Sequence, residues 1–417
     1  MMHLLLKAYF LLVIFTYSIG GYSQSDDGLE SSIDSIIQIG IDSMAFPGCQ
    51  IVIMHKGAVA MRKSYGYHTY DKKVKVENDH IYDLASLTKV TSGLPLVMKL
   101  VDEGKIDIDL PISTYIPYWK GSNKEDLTLR QLLAHQAGLQ PYIVFWAESL
   151  QSDGRIMENS YAFSHSAEYP LRLSEDLYLH KNYKEVIREK IKESEVSQDP
   201  VYKYSGLLFL LLPELITHVS GDDYLTMLFQ QFYMPLGLHR ICYNPLNYHK
   251  QEIIVPTEMD AYFRHEMIKG RVHDETAAML GGVSCNAGLF SDAQDVATLF
   301  QFYLDGGKKD NDYLISQETI ASFTSYQYEG NRRGLGFDKP LIEYNKNSSY
   351  VSEFASSGSF GHSGFTGTFA WADPSNQTVI VFLSNRVYPY RNNRKLYSLN
   401  IRPQLHDVLY AYFPKKD

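Results

Sequence analysis

Ser86 and Lys89, in Asp83-Leu84-Ala85-Ser86-Leu87-Thr88-Lys89, stand three residues apart and between them could do covalent chemistry. On a helix that spacing puts both on one face, roughly 5–6 Å apart at Cβ. A serine hydroxyl attacks a carbonyl poorly near neutral pH unless a base takes its proton, and a lysine held partly out of water can be that base. The segment reads as a helix running to Glu103-Gly104, with Ser86 in its first turn. Unpaired backbone N–H groups in a first turn favour the negative charge that forms on an attacked carbonyl oxygen. Pro95 lies inside this helix and should kink it after the turn that carries Ser86. The chemistry on offer is acyl transfer through a serine ester. Ser-x-x-Lys occurs once in the chain, and its weight depends on the residues that follow it.

The elements that must position these residues can be read outward from them. A helix from about Leu29 to Met44 carries Leu29, Ile33, Ile36, Ile37, Ile41 and Met44 in one apolar stripe. Cys49–Met54 and Ala58–Arg62 read as strands of a hairpin turning at His55-Lys56-Gly57. Between Gly104 and about Phe300 the pattern is mostly helical. Within it, Thr128 is a plausible N-cap, Gly206–Val219 is apolar enough for a buried helix, and Tyr142–Asp199 has no clear period and reads as an insertion with irregular helices. Strands return at Gly367–Ala372 and Thr378–Leu383 around the turn Asp373-Pro374-Ser375-Asn376, before a closing helix over Lys395–Phe413 that should break near Pro403. Strands near both ends with helices between them predict an α/β fold: one antiparallel sheet built from both termini with flanking helices, plus an all-helical subdomain. The expected division is a single domain over 25–417, its sheet part about 25–85 and 330–417, its helical part about 86–329 and its insertion about 142–199. A cleft between sheet and helical part is the natural place for a site.

Composition narrows the function. The 417 residues are 45% hydrophobic and 21% charged, ordinary for a globular protein. A formal net charge of -9 argues against a nucleic-acid or anionic-membrane surface. The 32 tyrosines suit the walls of a wide cleft or an exposed surface. Residues 1–24 follow the plan of a secretory signal peptide: Lys7, an apolar run from Ala8 to Phe15, then small and polar residues to Gln24. This predicts a periplasmic or secreted protein with no membrane span once the signal is removed. Three cysteines, Cys49, Cys242 and Cys285, allow three pairings and the spacing selects none; buried free thiols are the plainer reading. No Cys/His cluster or His-Glu-x-x-His implies a metal, and no cofactor is expected.

Two further segments complete the pattern, Tyr204-Ser205-Gly206 at the start of the apolar helix and Gly361-His362-Ser363-Gly364-Phe365 at the start of a strand. In this chain order the three motifs resemble those of the serine β-lactamase and penicillin-binding-protein superfamily, above all the branch of class C β-lactamases, family VIII esterases and D-amino-acid peptidases. The resemblance runs from about Phe46 to Tyr410 and weakens in the insertion. Supporting stretches include Leu132–Leu139, His273–Gly282, Gly288–Ser291 and Gly334–Asp338. They are similar to the serine-hydrolase module joined to some bacterial β-N-acetylglucosaminidases.

The resemblance implies a β-lactamase/transpeptidase-like fold and a set of roles. Ser86 would be the nucleophile, Lys89 and Tyr204 would share general-base and general-acid work, and His362 would steer a substrate carboxylate or the proton network. Ser363 and Gly364 would border the substrate, with Gly364 letting its backbone approach the strand edge, and the N–H groups of Ser86 and Phe365 would form an oxyanion hole. Gly206 stands where the family carries asparagine, a donor to the substrate amide. That departure predicts weak β-lactam hydrolysis and a preference for small esters. If His362 were an imidazolium, the turnover of carboxylate substrates should fall as pH rises through its titration. The expected partner is a small-molecule or peptide substrate, peptidoglycan-derived peptides included, and the oligomeric state is open. The rival reading is a non-catalytic or weakly acylating module that binds cell-wall peptide. An α/β-hydrolase nucleophile elbow at Ser363 is excluded, because Phe365 replaces the last glycine and a strand follows, not a helix.

Overall fold

The protein is described from a computed structural model covering residues 26–150, 157, 159–199 and 201–415; the expected signal peptide lies outside the described residues. Helix α1, Asp26–Asp42, precedes a hairpin of β1, Gly48–His55, and β2, Ala58–Gly66. Lys56 and Gly57 both take positive φ in its two-residue turn, the backbone that matches the twist of the flanking strands. The last third of the chain supplies β3, Phe360–Ser363, β4, Phe369–Asp373, and β5, Thr378–Ser384. The five strands form one antiparallel sheet in the order β3-β4-β5-β1-β2, with Ile51 opposite Phe382 and Val52 opposite Val381. The two ends of the chain therefore meet at the β1–β5 ladder, as expected.

Both faces of the sheet are covered, which is why its strands read as almost unbroken apolar runs. Ile51, Ile53, Trp371, Ile380 and Phe382 pack with Leu29, Ile33 and Ile37 of α1, and with Leu405 and Leu409 of the closing helix Ile401–Tyr412. Val52, Ala370, Val379 and Val381 point the other way, toward helix Ala293–Leu304 and the larger core. Each of the Val, Leu, Ile and Phe side chains among these contributes about 1.5–3 kcal/mol through burial. The closing helix breaks near Pro403 as expected, at Asn400, whose φ is +51; Pro403 itself fits the first turn of the new helix, where no N–H is needed.

The region between the sheet's two halves is not all-helical. Tyr82–Asp83, Leu289–Ser291 and Cys242–Tyr243 form a small three-stranded sheet. The insertion holds a second, of Tyr161–Ala162, Leu171–Arg172 and Tyr178–Leu179, followed by one regular helix, Tyr183–Glu193. Strands of two residues leave no periodicity to read. All three cysteines are free thiols. Among the described residues, no helix is long and apolar enough to cross a membrane.

The helix after Asp83 also differs from expectation. It runs as a 3₁₀ turn, Ala85–Leu87, a π turn, Lys89–Gly93, and only then α2, Leu94–Asp102. The disturbance due to Pro95 thus lies upstream of it. Proline lacks the N–H that would pair with the Thr91 carbonyl. The Tyr233 hydroxyl donates to that carbonyl at 2.8 Å, and the Tyr303 hydroxyl donates to the neighbouring Val90 carbonyl at 2.7 Å.

His406, on the closing helix, is enclosed by the rings of Phe369, Trp371 and Tyr410, and its Nδ1 accepts from the Ser352 N–H at 3.3 Å. Burial holds its pKa down at about 3, only partly offset by Asp373. The folded state therefore keeps this ring neutral, while the unfolded chain takes up a proton below about pH 6.5. Stability from this group is complete above that pH and is lost as pH falls toward 3. His406→Gln keeps an acceptor but cannot titrate. The loss of unfolding free energy between pH 6.5 and 4.5, measured by urea titration, should be about 2–3 kcal/mol smaller in this variant than in the wild type.

Candidate active site

Ser86 is delivered by a short, heavily tied segment. Asp83, buried in the small central sheet, accepts the Ala85 N–H at 2.8 Å through Oδ1 and the His273 N–H at 2.7 Å through Oδ2. Ala85 takes φ +47, a left-handed conformation that a non-glycine residue holds only when its surroundings impose it. This sharp turn points Ser86 into a cavity while its neighbours Ala85 and Leu87 stay buried.

Beneath Ser86 lies Lys89, 2% exposed. Its Nζ donates to Ser86 Oγ at 3.1 Å and to the Asn286 carbonyl at 2.8 Å. The Tyr204 hydroxyl reaches the same Oγ at 3.2 Å. The structure thus brings together the three residues that sequence reasoning had linked across more than a hundred positions, all within hydrogen-bond reach. Nζ also sits 5.4 Å from the Tyr204 ring centre and 5.3 Å from that of Phe209.

Tyr204 is held in turn by groups the sequence reading passed over. The His135 ring lies 4.5 Å from it, and His135 Nδ1 accepts the Ser205 N–H at 3.2 Å. Burial, then the charges of Arg333 and Lys89, hold His135 well below its ordinary pKa, so it acts here as a neutral acceptor. The Arg333 guanidinium lies 5.1 Å from the Tyr204 ring centre.

His362 also joins the cluster, but not as a cation. Arg333 can only donate, so its Nη2, 3.3 Å from His362 Nε2, makes that nitrogen the acceptor. Nδ1 then carries the proton and donates to the Ser363 carbonyl at 2.8 Å. Burial, Arg333 and Lys89 together push the His362 pKa well below 6.5. The expectation of an imidazolium that anchors a carboxylate is therefore corrected: the fixed cation at this place is Arg333, 1% exposed and paired with Asp338 at 3.0 Å.

Ser86, Tyr204, His362, Ser363, Gly364 and Phe365 line one cavity of about 530 Å³. Among the described residues, four guanidinium groups, of Arg332, Arg333, Arg394 and Arg402, share its wall with one carboxylate, Asp338. Four of the tyrosines line it, and many of the others pack in the core. The loop from Gly364 to Thr368 is strapped to the Ser86 segment, because the Thr366 and Thr368 hydroxyls donate to the Asp83 and Leu84 carbonyls, both at 2.8 Å. A Cβ on Gly364 would collide with the Thr368 hydroxyl and the Leu84 carbonyl. This glycine is needed for loop closure, a tighter reason than the approach of a substrate strand. Gly206 caps the helix Leu207–Ser220 outside the cavity lining, and a Cβ there would meet nothing within 4 Å.

Signals for the missed residues were present. Arg332-Arg333 immediately precedes the Gly334–Asp338 stretch, and His135 stands inside Leu132–Leu139.

A family model described as "Beta-lactamase" matches residues 33–401. A protein of Salmonella enteritidis named "Putative D-alanyl-D-alanine carboxypeptidase" is 30% identical over 395 residues, covering 87% of this chain and 84% of its own. Among solved structures, a penicillin-binding protein homolog from Caulobacter crescentus superposes with a TM-score of 0.64 at 18% identity, covering 94% of this chain and 99% of that one. A class C beta-lactamase from Rhodobacter sphaeroides gives 0.63 at 16% identity, covering 91% and 99%. The resemblance read from the three motifs is borne out, and so is the fold.

Proposed function

Because the chain belongs to the beta-lactamase family, we propose that it is an exported serine hydrolase that cleaves peptides ending in a D-amino acid with a free carboxylate. The observation that carries this reading is the convergence of Lys89 Nζ and the Tyr204 hydroxyl on Ser86 Oγ, at 3.1 and 3.2 Å, beneath an arginine-lined cavity. As Oγ bonds to the scissile carbonyl, its proton passes to the Lys89–Tyr204 pair, which returns it to the departing amine. The N–H groups of Ser86 and Phe365 receive the oxyanion. Water then attacks the acyl-enzyme by the same route in reverse. The fourfold excess of guanidinium over carboxylate favours an anionic substrate, and the name borne by the Salmonella relative supports a D-peptide. Export rests on residues 1–24, and N-terminal sequencing of exported protein should begin near Ser25.

Intact-mass measurement after a penicillin or fluorophosphonate should show one adduct, on the peptide that carries Ser86, and none in Ser86→Ala. A wild type that takes no adduct from either probe removes the hydrolase reading. The open space at Gly206 favours a second reading, a module that binds cell-wall peptide and acylates weakly, since no side chain at this position supplies the family's amide donor. Gly206→Asn tests it directly. A Cβ at residue 206 meets nothing within 4 Å and the backbone there has φ -87, open to any residue, so the variant should fold. Nitrocefin turnover relative to p-nitrophenyl acetate should rise, and an unchanged ratio would show that the missing amide does not limit lactam chemistry.

A further inference from the structure

One buried cluster outside the Ser86–Lys89–Tyr204 group touches both of the segments that carry the two oxyanion donors. His273 lies under the cavity, 5% exposed. Its main-chain N–H is the donor to Asp83 that helps fix the turn at Ala85. Its ring stacks on Phe365, with centroids 5.8 Å apart and planes at 30°. The Arg386 guanidinium lies 4.6 Å from the Phe365 ring centre. Phe365 is itself 47% exposed at the cavity edge, so these two contacts hold a side chain that water alone would leave free to rotate.

The His273 ring is anchored from behind. Its Nε2 lies 2.6 Å from Glu258 Oε2, and both side chains are buried. Glu258 is in turn gripped by Arg391, through Nε at 2.9 Å and Nη2 at 2.7 Å, and Arg391 also reaches Glu275 at 2.9 Å. A planar guanidinium meeting a carboxylate with two parallel bonds fixes orientation as well as charge. The chain of contacts runs from Arg391 through Glu258 and the His273 ring to Phe365.

We propose that His273 is a positioning residue: backed by Glu258, its ring sets where the Phe365 N–H stands relative to the Ser86 N–H, and so sets the width of the oxyanion hole. This rests on the hydrolase reading above, in which those two N–H groups receive the developing charge. Loss of the ring lets Phe365 shift within the loop that Thr366 and Thr368 strap down. A displacement of about 1 Å at a reacting group can cost 10²-fold in rate.

The test compares His273→Ala, His273→Phe and His273→Gln. Acylation of Ser86 by a chromogenic D-alanyl ester is followed by stopped flow, and phenylboronic acid serves as the probe of the hole. The boronate becomes a charged tetrahedral adduct on Ser86 and places an oxygen between the two N–H groups, so its affinity reports the hole and not general substrate binding. His273→Ala should slow acylation roughly 10–100-fold and weaken phenylboronic acid by a similar factor, with KM for the ester nearly unchanged. His273→Phe keeps the stacked ring and leaves Glu258 paired with Arg391, so both quantities should recover most of the loss. His273→Gln keeps a partner for Glu258 without a ring and should resemble His273→Ala.

If His273→Ala fails to fold, the Phe and Gln variants decide: a slow Phe variant beside a fast Gln variant overturns the proposal. So does a folded His273→Ala that matches the wild type in both rate and boronate affinity while the wild type acylates normally. A wild type that neither acylates nor binds the boronate removes the hydrolase reading, and this inference falls with it.

Discussion

Lys89→Met should slow acylation of Ser86 by about 10²–10⁴-fold while leaving circular dichroism unchanged. The loss is large because Lys89 Nζ is, among the described residues, one of two side-chain groups within hydrogen-bond reach of Ser86 Oγ. Methionine has nearly the same reach and suits a pocket bordered by the Tyr204 and Phe209 rings. The fold loses one bond to the Asn286 carbonyl, at a cost of about 1–3 kcal/mol. Acylation measured by intact mass against time separates the outcomes. A rate within a few fold of wild type would take Lys89 out of the proton path and leave Tyr204 as the base.

The second large effect concerns substrate charge. Wild type should cleave a D-alanyl-D-alanine peptide with a free carboxylate roughly 10²-fold better, in kcat/KM, than the same peptide capped as an amide. That figure corresponds to the 1.5–3 kcal/mol typical of a hydrogen bond to a charged group. Arg333→Met should erase most of the difference, lowering the free-acid rate far more than the amide rate, which also falls because Arg333 packs against the Tyr204 ring. A charge so deeply buried is poorly screened by water, which is why one guanidinium can matter this much. Asp338 keeps Arg332, 3.2 Å away, so its own charge is not stranded by the substitution. Arg333→Lys should fall between, since an ammonium cannot reproduce a planar fork.

The pH dependence of that preference provides an independent check. A histidine cation would give a preference that fades through about pH 6.5. With His362 neutral and Arg333 as the fixed charge, the preference should stay level from pH 5.5 to 8. A decline centred near 6.5 would restore His362 as the anchor and count against Arg333.

These expectations show where the sequence was legible. Ser86, Lys89, Tyr204 and His362 could be picked out because their side-chain types and chain order already specify a chemistry. The sheet was legible because Ile51–Met54 and Val379–Leu383 are apolar on both faces. The charge state of His362 was not, since it depends on burial and on Arg333, 29 residues earlier. The work of His135 was hidden for a related reason: it caps a backbone N–H and packs a ring, and neither task has a spacing in sequence. The two-residue strands of the insertion were invisible because pairing, not local pattern, defines them. Pro95 signalled a break in the helix, but the partners that take up the carbonyls of the broken turn are two tyrosines more than a hundred residues away.

Those two hydroxyls have a kinetic consequence. Tyr233 and Tyr303 clasp the carbonyls of Thr91 and Val90 from the deepest part of the core, so the turn that carries Ser86 and Lys89 has no cheap way to open by itself. Releasing it means withdrawing two fully buried aromatic rings, a step close to disassembling the helical half of the molecule. The nucleophile is therefore tied to the buried core, not to a fraying edge. Heat or denaturant should leave the acylating power of each folded molecule intact until global unfolding takes it away in a single step.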